Sequence, residues 1–290
     1  MSLISNPLAL DSPLAETSEA AITGTLIKMP AQLDNGVHYQ LALGEHRVSL
    51  NAHLGKLITL THTGQIFCNA CNRKTNKSYA QGHCFPCMKK LARCDMCIMK
   101  PETCHYFAGT CREPEWGEQH CMVEHIVYLA NTSGLKVGIT RHTQVPTRWI
   151  DQGATQALPI LRVATRQLSG LVEVALAELV ADKTNWRTML KGGEADIDLK
   201  AEAARLLPVI QQKIDELQLN YGAQAVTVLD EDVVNLSYPV LEYPTKIASH
   251  NFDKNPEVSG VLLGIKGQYL ILDSGVINLR KFTGYEVSFS

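Results

Sequence analysis

No stretch of this 290-residue chain reaches the eighteen or so consecutive apolar residues that a membrane-spanning helix requires. The segment from Met1 to Glu16 lacks the basic start and long apolar centre of a secretory leader, and its Ser, Pro and acidic content reads as a frayed tail. Neither sign of charge dominates: 27 Lys and Arg face 29 Asp and Glu, a formal net charge of −2. That balance excludes a protein that holds polyanions by bulk attraction. Cysteine is missing before Cys68 and after Cys121. Nothing here points outside the cell, so a cytoplasmic location is expected, with thiols free for metal rather than paired as disulfides.

What is present is concentrated. All nine cysteines lie between Cys68 and Cys121. Cys68-x-x-Cys71 and Cys84-x-x-Cys87 form two knuckles twelve residues apart, the spacing at which short hairpins present four thiolates to tetrahedral Zn²⁺. Cys94-x-x-Cys97 opens a second set, for which Cys104, Cys111, Cys121, His105 and His120 compete. The expected ligands are Cys94, Cys97, Cys111 and Cys121, with Cys104 spare, because the later two can close over the first knuckle. A structural zinc contributes on the order of 10 kcal/mol to folding, and this stretch has too few large apolar residues to fold without one.

The same stretch is a basic island. Arg73, Lys74, Lys77, Lys89, Lys90, Arg93 and Lys100 are met by Asp95 alone, whereas after Gly192 acids outnumber bases by fourteen to eight. A local polyanion contact is one account of the island, and a solvated charged face is the other. Tyr79, Phe85 and Phe107 lie among these residues. Nucleobases stack on such rings while cations meet phosphates. Arg73, Lys74, Lys89 and Lys90, together with Arg141, are therefore the expected contacts to DNA or RNA. If the rings instead fill the segment's own small core, it is a metal-bound spacer.

Both ends of the chain read as strand and turn. Ile22–Met29, Val37–Leu43, Arg47–Leu50 and Leu57–Leu60 are β-prone near the start, and Val258–Ile265, Tyr269–Leu272, Val276–Leu279 and Tyr285–Phe289 near the end. Ile22-Thr23-Gly24-Thr25-Leu26 recurs as Val258-Ser259-Gly260-Val261-Leu262. Val48, Leu50 and Gly55 keep the spacing of Ile277, Leu279 and Gly284. This is either a weak internal repeat or the convergence of two hairpin patterns, and whether the two ends meet is open. Between them, Asp198–Leu219 has a helical apolar stripe broken at Pro208, followed by strands at Val226–Leu229 and Val233–Tyr238.

Chemistry is legible from His125 to Asn185. Ile126–Leu129 and Leu135–Thr140 are short β-prone runs about the turn Asn131-Thr132-Ser133-Gly134, hence a hairpin. A helix from Arg148 towards Gly153, a strand at Ile160–Ala164 and a helix at Leu168–Lys183 follow. Val127-Tyr128, Lys136-Val137-Gly138, Arg148, Glu173 and Asn185, in that order, resemble the GIY-YIG nuclease module. The resemblance implies that Tyr128 acts as a base, Arg148 clamps the scissile phosphate and Glu173 ligates Mg²⁺ or Mn²⁺, with Lys136 and Asn185 completing the site. Lys136 departs from the family, which has a tyrosine there. A lysine cannot be the phenol that orients water, though it can hold a phosphate. Glu178 is the rival metal ligand, but five residues along a helix it lies well off the face of Glu173.

The knuckles, Pro101-Glu102-x-Cys104-His105, Gly109-Thr110-Cys111-Arg112, Lys136-Val137-Gly138-Ile139-Thr140-Arg141 and Arg148-Trp149-Ile150-Asp151-Gln152-Gly153-Ala154 also resemble an uncharacterised bacterial family of unknown function. The expected fold is α+β and multidomain: a tail at 1–20, an N-terminal antiparallel β unit at 21–66, a zinc-binding segment at 67–122, a GIY-YIG-like module with a three-stranded sheet and flanking helices at 123–191, and a helix plus C-terminal β unit at 192–290. The expected function is that of a zinc-containing, divalent-metal-dependent endonuclease. The alternatives are an inactive nucleic-acid-binding protein of the same fold and a protein–protein scaffold.

Overall fold

The computed structural model describes residues 21–180 and 183–290, and the expected tail at Met1–Glu16 lies outside them. The strands in chain order are β1 (Ile22–Thr25), β2 (Ala31–Leu33), β3 (Val37–Leu43), β4 (His46–Ser49), β5 (Leu57–Ile66), β6 (His125–Asn131), β7 (Leu135–Arg141), β8 (Gln156–Val163), β9 (Val226–Val228), β10 (Val234–Asn235), β11 (Glu257–Lys266), β12 (Tyr269–Leu272), β13 (Gly275–Asn278) and β14 (Tyr285–Phe289). The α-helices are α1 (Phe85–Lys90), α2 (Pro114–His120), α3 (Thr147–Asp151), α4 (Arg166–Ala177), α5 (Trp186–Lys191), α6 (Leu199–Leu206) and α7 (Gln211–Tyr221). The protein is therefore of mixed α+β class. Among the described residues no helix is long and apolar enough to cross a membrane.

The two ends meet strand by strand. One antiparallel sheet runs β1-β14-β5-β11-β12-β13, and β2-β3-β4 form a smaller one that touches it through the Leu26–Leu43 bridge. Each half of this body follows one plan: a first strand, a hairpin, a 3₁₀ turn and a last strand. The N-terminal half uses β1, β3–β4, the turn Asn51–His53 and β5; the C-terminal half uses β11, β12–β13, the turn Leu279–Phe282 and β14. The last strand of each half crosses to the first strand of the other, β14 to β1 and β5 to β11, and the two last strands pair at the centre. The sequence similarity between the ends therefore reflects a repeated structural unit rather than two unrelated hairpins. Alternation drives the pairing: Val258, Gly260, Leu262 and Gly264 of β11 turn inward while the residues between them are half-exposed.

Everything from 67 to 256 is inserted between β5 and β11. Within it, β10, β8, β6 and β7 form the second large sheet, with β9 also paired to β8. The three strands expected there thus gain β9 and β10 from beyond the module, both along the free edge of β8. Pro208 splits the expected long helix, as its missing N–H demands: α6 ends, a 3₁₀ turn spans Leu207–Ile210, and α7 resumes. One face of the sheet (Val127, Leu129, Val137) packs on α4, α6 and α7, while Ile126, Tyr128 and Ala130 face the opposite way into the core of the β body. Asp151, at the end of α3, ties the layers together. Its buried carboxylate takes Lys28 at 2.5 Å, Gln268 Nε2 at 3.0 Å and Arg280 at 3.6 Å.

Candidate functional site

The first four cysteines converge. Cys68 follows the end of β5, where Phe67 N–H donates to the Gly284 carbonyl at 2.7 Å and anchors the knuckle to the β body. Asn72 takes a positive φ of 53°, which curls Cys68–Cys71 back on itself. Cys84 and Cys87 lie at the start of α1. The thiols of Cys68, Cys71, Cys84 and Cys87 all lie within 4.8 Å of one another, and Cys71 and Cys84 Sγ are 3.8 Å apart. A tetrahedron with 2.3 Å Zn–S bonds has an edge of about 3.8 Å. The group can hold a metal such as zinc. Burial disfavours ionising Cys68, but the N–H groups of Cys84, Cys71 and Ala70 outweigh it and lower that thiol to about 6. Sulfur neighbours, Cys84 first, push Cys87 up to about 12. Were all four to ionise, a cation among them would be needed to offset their mutual repulsion.

The other five cysteines divide. Cys97, Cys104, Cys111 and Cys121 line one small cavity with His105 and Asp95, and Cys94 is not among its walls. Cys97 is pushed up to about 11, by burial first and then by Asp95 and the other three thiols. Asp95 Oδ2 accepts from Arg112 at 2.7 Å and lies 3.4 Å from His105 Nε2. His120 Nδ1 lies 2.9 Å from the Trp116 carbonyl within α2, and its ring stacks on Trp116.

The module residues are placed unevenly. Tyr128 sits opposite Gly138 in the β6–β7 pair, and the phenol end of its ring occupies the space beside that glycine. A Cβ at position 138 would stand 2.6 Å from the phenol oxygen. The phenol is fully buried and donates to Gln152 Oε1 at 2.9 Å. Burial raises it to about 12, the Arg148 cation pulls the other way, and the Glu173 carboxylate adds to the rise. Tyr128, Arg148 and Glu173 thus share one electrostatic neighbourhood, the latter two half-buried. Lys136 is buried on the same face as Tyr128, with Nζ 3.5 Å from Thr184 Oγ1.

Asn185 directly follows Thr184, the neighbour of Lys136. Its exposed side chain caps α5 by accepting from the N–H groups of Arg187 and Thr188. Glu178 is exposed at the end of α4. Arg141, at the end of β7, is half-buried and lies within electrostatic reach of Cys121 and His125.

The basic island is on the surface. Arg73, Lys74, Lys77, Lys89, Lys90, Arg93 and Lys100 are all exposed. Tyr79 and Phe85 stay 46% and 48% exposed and meet edge to face at 5.4 Å, with Lys77 and Lys89 Nζ 5.6 and 5.8 Å from their ring centres. Phe107 is 73% exposed. These rings do not fill a core.

One feature had no sequence signal: a cavity of about 450 Å³ beside α3, walled by Ile126, Val145, Pro146, Trp149 and Pro159 and rimmed by Arg162. Leu33 of β2, Val234 of β10 and the acidic Glu231 and Asp232 also line it, and only tertiary folding collects residues so far apart in the chain.

No curated protein and no solved structure matches the chain. The protein family described as "Protein of unknown function (DUF2797)" matches residues 55–287, from the start of β5 to within β14 and across both cysteine groups and the module, and the chain belongs to that family.

Proposed function

We propose that this is a zinc-containing nucleic-acid-binding protein whose cysteine-rich segment grips a strand while the central module, of GIY-YIG type, holds a phosphodiester without cleaving it. The observation that carries the reading is the Tyr79–Phe85 pair, two half-exposed rings each under a lysine, beside exposed Arg73, Lys74 and Lys90. Stacking on such rings is worth about 1–3 kcal/mol per base, and the cations supply a salt-dependent phosphate term. Zn²⁺ on Cys68, Cys71, Cys84 and Cys87 would hold the knuckles that display them.

Within the module, the sealed Tyr128 supports holding over cleaving. A phenol raised to about 12 and committed to Gln152 is a poor base near neutral pH. Lys136 stands where the nuclease family has its second tyrosine and brings a cation in place of a phenol.

One observation favours the second reading, a Mg²⁺- or Mn²⁺-dependent endonuclease: Arg148 and Glu173 both act on the Tyr128 phenol. There Glu173 would hold the ion and Arg148 the phosphate.

Fluorescence anisotropy with labelled single-stranded and duplex DNA and RNA, across a salt series, tests the first reading. Binding that weakens steeply with salt is expected, with roughly thirtyfold or greater loss in Tyr79→Ala/Phe85→Ala, as two stacking rings imply. No binding at low salt, or an affinity indifferent to salt, would reject it. Plasmid and RNA nicking with Mn²⁺ decides between the readings. Cleavage that disappears in both Glu173→Ala and Arg148→Ala would establish the endonuclease instead.

A further inference from the structure

The five cysteines outside the first centre are not equivalent. Cys97 lies in the 3₁₀ turn Met96–Ile98, Cys104 closes the turn Pro101–Thr103, Cys111 precedes α2 and Cys121 ends it. Two 3₁₀ turns and the two ends of α2 thus line one small hollow of about 20 Å³ with four cysteines. That volume suits a single ion or water and nothing larger. Gly117 of α2 lies beside the hollow, where a Cβ would press on the Tyr106 ring at 3.2 Å and meet the Cys111 sulfur at an ordinary contact distance of 3.5 Å. The surroundings offer little else to hold these turns, because Met96, Met99 and Phe107 point to solvent.

The geometry points to a second metal centre in which Cys97, Cys104, Cys111 and Cys121 bind a soft tetrahedral ion such as Zn²⁺. Four thiolates select zinc over harder divalent ions. Cys94, the ligand favoured by spacing in the sequence, is left out and Cys104 takes its place. Asp95 and His105 also come near, their ligand atoms and Cys97 Sγ lying within 4.8 Å of one another. Both are engaged elsewhere, however. Asp95 accepts from Arg112 and from the Met96 N–H at 2.6 Å, while His105 faces Asp95 Oδ2 with Nε2 at 3.4 Å and Thr110 Oγ1 with Nδ1 at 2.8 Å. They brace the turns around the hollow.

The centre has a mechanical consequence for α4, the helix that carries Glu173. The Arg166 N–H donates to the Cys121 carbonyl at 2.8 Å, Arg166 Nη2 to the Ile98 carbonyl at 2.7 Å and Gln167 Nε2 to the Cys104 carbonyl at 3.2 Å. Gly170 lies against the backbone of Pro101 and Glu102, where a Cβ would stand 2.5 Å from the Glu102 nitrogen. Each carbonyl belongs to a ligand or to the residue beside one, so an ion that locks these turns also locks the first turn of α4.

The deciding measurement is the metal content of the full chain purified without chelator, determined by elemental analysis. Wild type is expected to carry two zinc ions, Cys94→Ser and His105→Ala to keep two, and Cys104→Ser to keep one. A single zinc in wild type overturns the proposal. So does loss of an ion in Cys94→Ser with two retained in Cys104→Ser, or loss in His105→Ala, which would mean a mixed nitrogen and sulfur site. Cobalt-substituted wild type gives a readout that does not depend on any variant folding. Its sulfur-to-cobalt band should have the intensity of eight thiolates per chain, and the intensity of four would refute the second centre.

Discussion

Lys266 and Glu194 form a buried pair whose dissection tests how the inserted region is held to the β body. Lys266 ends β11 with its side chain fully enclosed, and Glu194, just past Gly192-Gly193, is 6% exposed. Lys266 Nζ lies 3.0 and 3.3 Å from the two carboxylate oxygens and about equally far from two rings, 5.6 Å from Tyr238 and 5.5 Å from Tyr243. Burial lowers the lysine's pKa and the Glu194 carboxylate opposes that shift. Lys266→Met leaves a carboxylate stranded out of water, a loss of about 3–5 kcal/mol. Glu194→Gln should cost less, about 1–2 kcal/mol, because the ammonium keeps two ring faces and an amide oxygen as partners. The double variant carries no buried charge and should fall within about 1 kcal/mol of wild type, since apolar replacement of a whole pair is often neutral. Equilibrium urea denaturation at neutral pH measures all four proteins, with Trp186, stacked on Tyr269, as a nearby fluorophore. Additive single losses, or a larger loss for Glu194→Gln than for Lys266→Met, would refute the reasoning.

Three shorter tests address other parts of the molecule. His125 is fully buried with Nδ1 2.7 Å from the Val123 carbonyl and, among the described residues, no partner for Nε2; burial lowers its pKa from 6.5 to about 4. The unfolded chain therefore takes up the proton first as pH falls, and roughly 3 kcal/mol of stability is lost between about pH 6.5 and about 4. His125→Asn should flatten that slope relative to wild type in paired urea melts, and parallel slopes would count against it. Gly138→Ala drives a methyl into the Tyr128 ring and should cost about 1–3 kcal/mol; an unchanged melting temperature would show that the ring does not rest on the strand. Chelation should expose the thiols of Cys68, Cys71, Cys84 and Cys87 to a colorimetric thiol reagent, and equal reactivity with and without zinc would exclude a metal there.

Local chemistry is the part legible in the sequence. The convergence of Cys68, Cys71, Cys84 and Cys87, the hairpin about Asn131–Gly134 and the break at Pro208 each depend on residues close in sequence, and each is found where expected. Short contacts of this kind carry their geometry in spacing and backbone preference. The same local logic accounts for Asn185: an asparagine before a helix is a cap, and that is how its side chain is used. The choice between Cys94 and Cys104 could not be read from spacing, because several turns separate the candidates and each turn can rotate a thiol inward or outward.

By itself the sequence determined most of the strands and the helices about Arg148, Glu173 and Pro208, where thiols and cations cluster, and that the two ends share a pattern, since these follow from periodicity and composition. The short helices α1, α2 and α5 carried no such signal, and α4 ends at Ala177, short of the expected Lys183. Only the tertiary structure decided that β5 and β14 pair at the centre of one sheet, that Asp151 gathers Lys28, Gln268 and Arg280 from distant stretches, and that the Tyr128 phenol is sealed from solvent. Those outcomes depend on which surfaces exclude water from one another. Side chains separated by hundreds of residues settle that together, and no local pattern encodes it.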